Sequence, residues 1–144
     1  MPYKYRGDIA HSDVAFDAWG PTLEDVFTGA AQATLQVMVE DLAAVRPAET
    51  VELSLTQESE EMLLFDFLGE LIFYKDARRL LLLPQQIVTT HTETGNWNLQ
   101  ATLQGEKIDE GRHRLDTDVK AVTMLRFKVA QVPGGWRATV VLDV

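Results

Sequence analysis

From Leu80 onward the chain repeats one pattern: an alternating or β-branched stretch, a turn, and another such stretch. Leu80 to Leu83 is a short apolar run interrupted by Pro84, and Gln86 to Thr94 is rich in β-branched residues. Gly95-Asn96 reads as a two-residue hairpin turn. Asn96 to Leu103 returns with Trp97, Leu99, Ala101 and Leu103 on one face, and Val119 to Gln131 is long enough for a full strand. Pro133-Gly134-Gly135 turns the chain again, after which Trp136, Ala138, Val140 and Leu142 alternate. Strands joined by hairpins pair antiparallel, so a chain whose last four segments are linked this way is expected to build an antiparallel sheet.

The first half supplies the other layer. Tyr3 to Tyr5 and Val14 to Trp19 read as strands, the second stopped by Gly20-Pro21. Thr22 is a good N-cap, with Glu24 and Asp25 in the first turn, where the helix dipole favours acids. Leu23, Val26, Phe27, Ala30, Ala31, Thr34, Val37 and Met38 then recur at helical spacing, predicting a helix to about Asp41. Val51, Leu53 and Leu55 alternate as a half-buried strand. Ser59 caps a second helix, apolar over most of its circumference from Met62 to Phe73 and so expected to be buried on several sides. Two helices and about seven strands are too few helices for a doubly wound sheet. The expectation is an α+β fold: a single two-layer domain over residues 1–144, its largely antiparallel sheet packed against two long helices.

Composition narrows the function classes. A net charge of −9 argues against a chain whose own surface binds nucleic acid by neutralising phosphates, so no direct nucleic acid binding is expected, whereas a basic partner protein suits it. Cysteine is absent, which removes disulfides, thiolate metal sites and cysteine nucleophiles. The start, MPYKYRGDIA, has no apolar signal core, and no apolar run reaches the roughly 20 residues that span a bilayer, so a cytoplasmic protein without membrane contact is expected. There is no GxGxxG, no GxxxxGK[ST] and no HExxH, and the serines lack a nucleophile-elbow context. Nothing announces an enzyme.

The candidate site lies elsewhere. Gly105 to Thr123, GEKIDEGRHRLDTDVKAVT, begins as the end of one strand and finishes inside another. Between them is a loop in which basic and acidic residues interleave around His113. A solvated hairpin is the plain reading of such a charge mixture. In the last strand Asp143 is followed by Val144, so its carboxylate lies close to the α-carboxylate of that residue. Two anionic oxygen donors so placed repel unless a cation or a basic side chain joins them, and Ca²⁺ or Mg²⁺ prefers such oxygens; a frayed, solvated chain end is the plain reading. Asp13 stands at the start of a strand and would bring a third carboxylate if it met this end.

These pieces resemble the archease family: DVAFDAWG with Asp13 before a helix, LLFDFLGELIFYKD, GEK followed by His113 and D-x-VKAVT, and the terminal LDV. The resemblance runs in order along essentially the whole chain. It implies a small cytosolic accessory protein, not an enzyme, that activates a GTP-dependent RNA ligase of RtcB type in tRNA splicing by promoting guanylylation and multiple turnover. A chaperone-like role towards a tRNA methyltransferase is also associated with the family. The resemblance further implies a divalent-cation site, usually calcium, on Asp13, Asp143 and Val144. Glu106, His113, Asp118 and Lys120 match its polar motif and are expected to border the same pocket. Two positions depart from the pattern. Ala10 stands where many archeases have His, with His11 one place later, and Asp118 replaces a common Glu. A metal-dependent hydrolase using the same carboxylates and a general holdase are the rival readings; the first would turn over a phosphoester unaided, and the second would protect unrelated clients.

Overall fold

The computed structural model describes residues 2–7 and 13–144; Ala10 and His11 of the first motif lie outside the described residues. Helix α1 spans Leu23–Met38 and opens with a capping box: the Asp25 N–H donates to Thr22 Oγ1 at 3.1 Å, and the Thr22 N–H donates to Asp25 Oδ2 at 3.3 Å. It stops at Met38, short of the expected Asp41, because Val39 turns extended and bridges to Leu115. Asp41 instead caps a short 3₁₀ turn, Leu42–Ala44, accepting from the Ala43 N–H at 3.0 Å. Helix α2 spans Glu60–Arg78 and is capped by Ser59, whose hydroxyl accepts from the Met62 N–H. Leu63, Leu64, Phe67, Leu68, Leu71 and Ile72 are buried as the sequence suggests, but Phe73 is 55% exposed.

The strands are β1 (Tyr3–Arg6), β2 (Asp13–Gly20), β3 (Glu49–Gln57), β4 (Leu80–His91), β5 (Trp97–Lys107), β6 (Ala121–Val132) and β7 (Gly135–Asp143). They form two antiparallel sheets, one ordered β1-β2-β7-β6 and the other β3-β5-β4. Pro84 does not divide β4. The strand lies at a sheet edge, and a register shift between Pro84 and Gln86 absorbs the missing N–H. The β4–β5 hairpin has a three-residue loop, not the expected Gly95-Asn96 pair. Thr92 N–H donates to Asn96 O, and Gly95 takes the left-handed third position at φ +92°. Pro133-Gly134 turns β6 into β7, with Gly134 at φ +84°.

The third expected hairpin does not exist. Strand β5 belongs to the three-stranded sheet and β6 to the four-stranded one, so residues 108–120 cross between sheets. Four main-chain bonds to three other segments hold this crossing: Ile108 N–H to Arg79 O, Asp116 N–H to Met38 O, Thr117 N–H to Val37 O, and Lys120 N–H to Asp143 O, all 2.8–2.9 Å. A freely solvated hairpin makes no such bonds.

One continuous core lies between these parts. Helix α1 packs on β1, β2, β7 and β4, and α2 packs on β3, β4, β5 and β6, so each helix touches both sheets. Phe27 and Phe67 stack where the helices meet, ring centres 5.7 Å apart. With Phe16 they are fully buried, each contributing about 2–3 kcal/mol of transfer free energy. Strand β6 bulges between Thr123 and Lys128, with Arg126 at φ +51°. Phe127 turns in against Phe65 of α2, while Met124 and Leu125 face solvent.

Candidate functional site

The antiparallel register of β2 and β7 places Asp13 opposite Asp143, Val14 opposite Leu142 and Phe16 opposite Val140. Directly opposed residues share a face of the sheet, so the two carboxylates stand side by side on the face away from the helices. Neither has an ion pair among the described residues. Like charges so opposed destabilise the pair of strands, yet the backbone around them is firmly held. The Lys120 N–H donates to Asp143 O at 2.8 Å, and the Val144 side chain packs against the core. Among the described residues no three His, Asp or Glu side chains converge to ligate a metal. The donor set here is two side-chain carboxylates with main-chain oxygen beside them, hard ligands suited to Ca²⁺ or Mg²⁺ with water completing the shell.

Glu106, near the end of β5, gathers the crossing loop. Its carboxylate pairs with the Arg112 guanidinium, accepts from the Arg46 N–H at 2.7 Å, and lies 2.9 Å from His113 Nε2. His113 Nδ1 accepts from the Asp109 N–H at 2.9 Å, so the ring proton sits on Nε2 and is donated to Glu106. Arg112 also donates to Ala44 O. His113 is 3% and Glu106 9% exposed. The Arg112 bond, with help from the Arg46 N–H and His113, outweighs burial and holds the Glu106 carboxyl down to about 2. The Glu106 carboxylate and both His113 ring nitrogens are engaged within this knot.

Asp118 is placed differently. It accepts from buried Lys75, whose ammonium donates to Asp118 Oδ1 and Val119 O and forms an ion pair with Asp76 Oδ1, at 2.5–2.7 Å. Asp118 lines a cavity of about 450 Å³ with Lys75, Asp76, Arg79, Glu110 and Asp116 around an apolar floor of Met38, Leu81, Ile108 and Leu115. Glu106, His113 and Lys120 do not line it, so the four residues expected to border one pocket occupy three places: the knot, the cavity and, for Lys120, the exposed end of the crossing loop beside Asp143.

Residues 3–144 match the model of the Archease protein family. The chain belongs to the archease family. Curated archeases of Methanosarcina mazei and Methanopyrus kandleri are 33% and 34% identical to it. They align over 99% and 100% of this chain and over 95% and 100% of their own lengths. The solution structure of protein 1598 of Methanobacterium thermoautotrophicum superposes with a TM-score of 0.84 at 33% identity, covering 99% of both chains. The crystal structure of an archease from Thermotoga maritima, described as a possible chaperone, shares the fold at TM-score 0.62 and 20% identity, covering 96% of this chain and 97% of its own.

Within this archease fold, sequence reasoning missed Lys75 and Arg112. Lys75 sits in a helix called apolar, and its signal was there: a cation among buried residues needs anionic partners, and Asp76 is its neighbour. Arg112 carried no signal beyond its place in a charged loop.

Proposed function

We propose that this protein is a non-catalytic accessory factor that activates a GTP-dependent RNA ligase of RtcB type, promoting its guanylylation and multiple turnover in tRNA splicing. The observation that carries the reading is the cross-strand pairing of Asp13 with Asp143 on one face, without a neutralising side chain among the described residues. Asp13, Asp143 and a main-chain oxygen of Val144 would hold a divalent cation, Ca²⁺ or Mg²⁺, which supplies the positive charge these oxygens lack. The protein's own part is positional. Strands β2 and β7 fix the two carboxylates, and the crossing loop ties down the strand end through the Lys120 N–H. The loaded tip would favour the ligase conformation that binds GTP, a population shift without bond-making. The acidic surface suits docking onto a basic RNA-binding enzyme.

The test is multiple-turnover ligation at limiting ligase, with and without this protein. Asp13→Ala or Asp143→Ala should abolish the stimulation while the fold persists, and unimpaired stimulation refutes the reading. Calcium provides a check that needs no partner. It should raise the melting temperature of the wild type progressively with calcium concentration and leave both variants unmoved. Absence of any stimulation by the wild type would favour a chaperone-like role towards a tRNA methyltransferase or other clients.

A further inference from the structure

The outer face of the four-stranded sheet carries a feature that the overall charge of −9 conceals. Strand register sets Lys4 opposite Asp17, Asp17 opposite Thr139, and Thr139 opposite Lys128, one row crossing all four strands. Arg137, the partner of Trp19, and Arg6, the partner of Ala15, flank that row on the same face. Among the described residues, four cations and one acid therefore share this part of the face. Asp17 is 5% exposed and acts as their organiser, accepting from Arg137 at 2.8 Å and from the Thr139 hydroxyl at 2.7 Å, with the Arg6 guanidinium 3.6 Å away.

Each guanidinium has five N–H donors, and one carboxylate that also takes the threonine cannot occupy those of Arg137, whose side chain stays 53% exposed. Lys4 and Lys128 are exposed and have no ion pair among the described residues. Lys4, Arg6, Asp17 and Arg137 line an open pocket of about 640 Å³. Trp19, two residues from Asp17, presents its indole on this face at 39% exposure.

We propose that this face binds single-stranded nucleic acid, with phosphates on the Lys4–Arg137–Lys128 row and a base stacked on Trp19. Three inter-strand steps separate Lys4 from Lys128, about 14 Å, which is too far for a single phosphate and suits successive phosphates of one strand. An exposed indole next to ordered cations is what a base with its phosphate requires; an acidic peptide would use the cations and leave the indole idle. The opposing acids Asp13 and Asp143 sit four and six residues along their strands from Asp17 and Arg137, roughly 13–20 Å and beyond the ~8 Å screening length at physiological salt. The proposal stands apart from the accessory-factor reading, since it needs neither the cation site nor the ligase.

The test is fluorescence anisotropy of a labelled single-stranded RNA of roughly ten nucleotides, titrated over a salt series. Wild-type protein should bind it, quench its own tryptophan fluorescence, and weaken with rising salt. Lys4→Glu combined with Lys128→Glu alters only exposed, unpaired side chains and so leaves the fold intact. It should lower affinity about tenfold or more and reduce the salt slope by about 0.7 per lost contact. Lys107→Ala, on the other sheet, should change nothing. No binding at low salt, or unchanged affinity in the double variant, overturns the proposal. Competition by polyglutamate, or by GMP at phosphate concentrations matching the oligonucleotide, would likewise overturn it, in favour of an acidic protein partner or a mononucleotide respectively.

Discussion

Replacing Glu106 by Gln perturbs the knot that ties the crossing loop to β5. The amide keeps one acceptor but puts two N–H donors where the second carboxylate oxygen stood. One side of the carboxylate faces Arg112 and the other faces the Arg46 N–H and His113 Nε2, so either amide orientation sets donor against donor. The carboxyl is held from its ordinary 4.5 down to about 2, which corresponds to about 3 kcal/mol of stability at neutral pH. A depressed folded-state value means that this contribution is complete above the unfolded value and is lost as pH falls towards 2; about half remains near pH 3. Urea denaturation of wild type and Glu106→Gln should therefore give equal m-values and a gap of about 3 kcal/mol at neutral pH, roughly 10 °C in melting temperature, which shrinks on acidification. A neutral-pH gap below about 1 kcal/mol, or one that does not change between neutral pH and pH 3, would refute the reasoning.

Other substitutions probe separate parts of the structure. A Cβ on Gly105 would lie 1.7 Å from Leu81 O, a backbone atom that cannot rotate aside. Gly105→Ala should cost more than about 3 kcal/mol or abolish soluble expression, read by denaturant titration. The Tyr3 hydroxyl is buried without a hydrogen-bond partner, so Tyr3→Phe should be neutral or stabilising by up to about 1 kcal/mol in the same measurement. Thr22→Ala removes the capping box of α1 and should cost about 1 kcal/mol, with the loss visible as earlier thermal unfolding.

Much of this was legible in the chain because it is written in local patterns. Helix starts at Thr22 and Ser59, the alternation of β3 and β7, and the antiparallel sense of the pairing follow from capping and period alone. What escaped depends on contacts between distant segments. Val39 leaves the helix because Leu115 is there to pair with, and no property of residues 35–41 announces it. The division into two sheets turns on where the crossing loop delivers β6, which is decided by Glu106, Arg112 and α1's last carbonyls together. At the candidate site, the approach of Asp13 to Asp143 was anticipated, and the β2–β7 register places them opposite. The polar motif around Glu106 was read as one pocket because spacing cannot show that a histidine and a glutamate satisfy each other.

Strand β7 lies in the middle of the four-stranded sheet, between β2 and β6, yet comes last in chain order. During synthesis β1 and β2 must therefore wait with an unpaired edge until β7 has been made, and their docking closes a long loop, which slows folding. The acidic pair is created in that same closing step, since one member belongs to β2 and the other to β7. A chain in which β2 and β7 have not docked has no paired carboxylates, so the acidic pair exists only once the four-stranded sheet has closed.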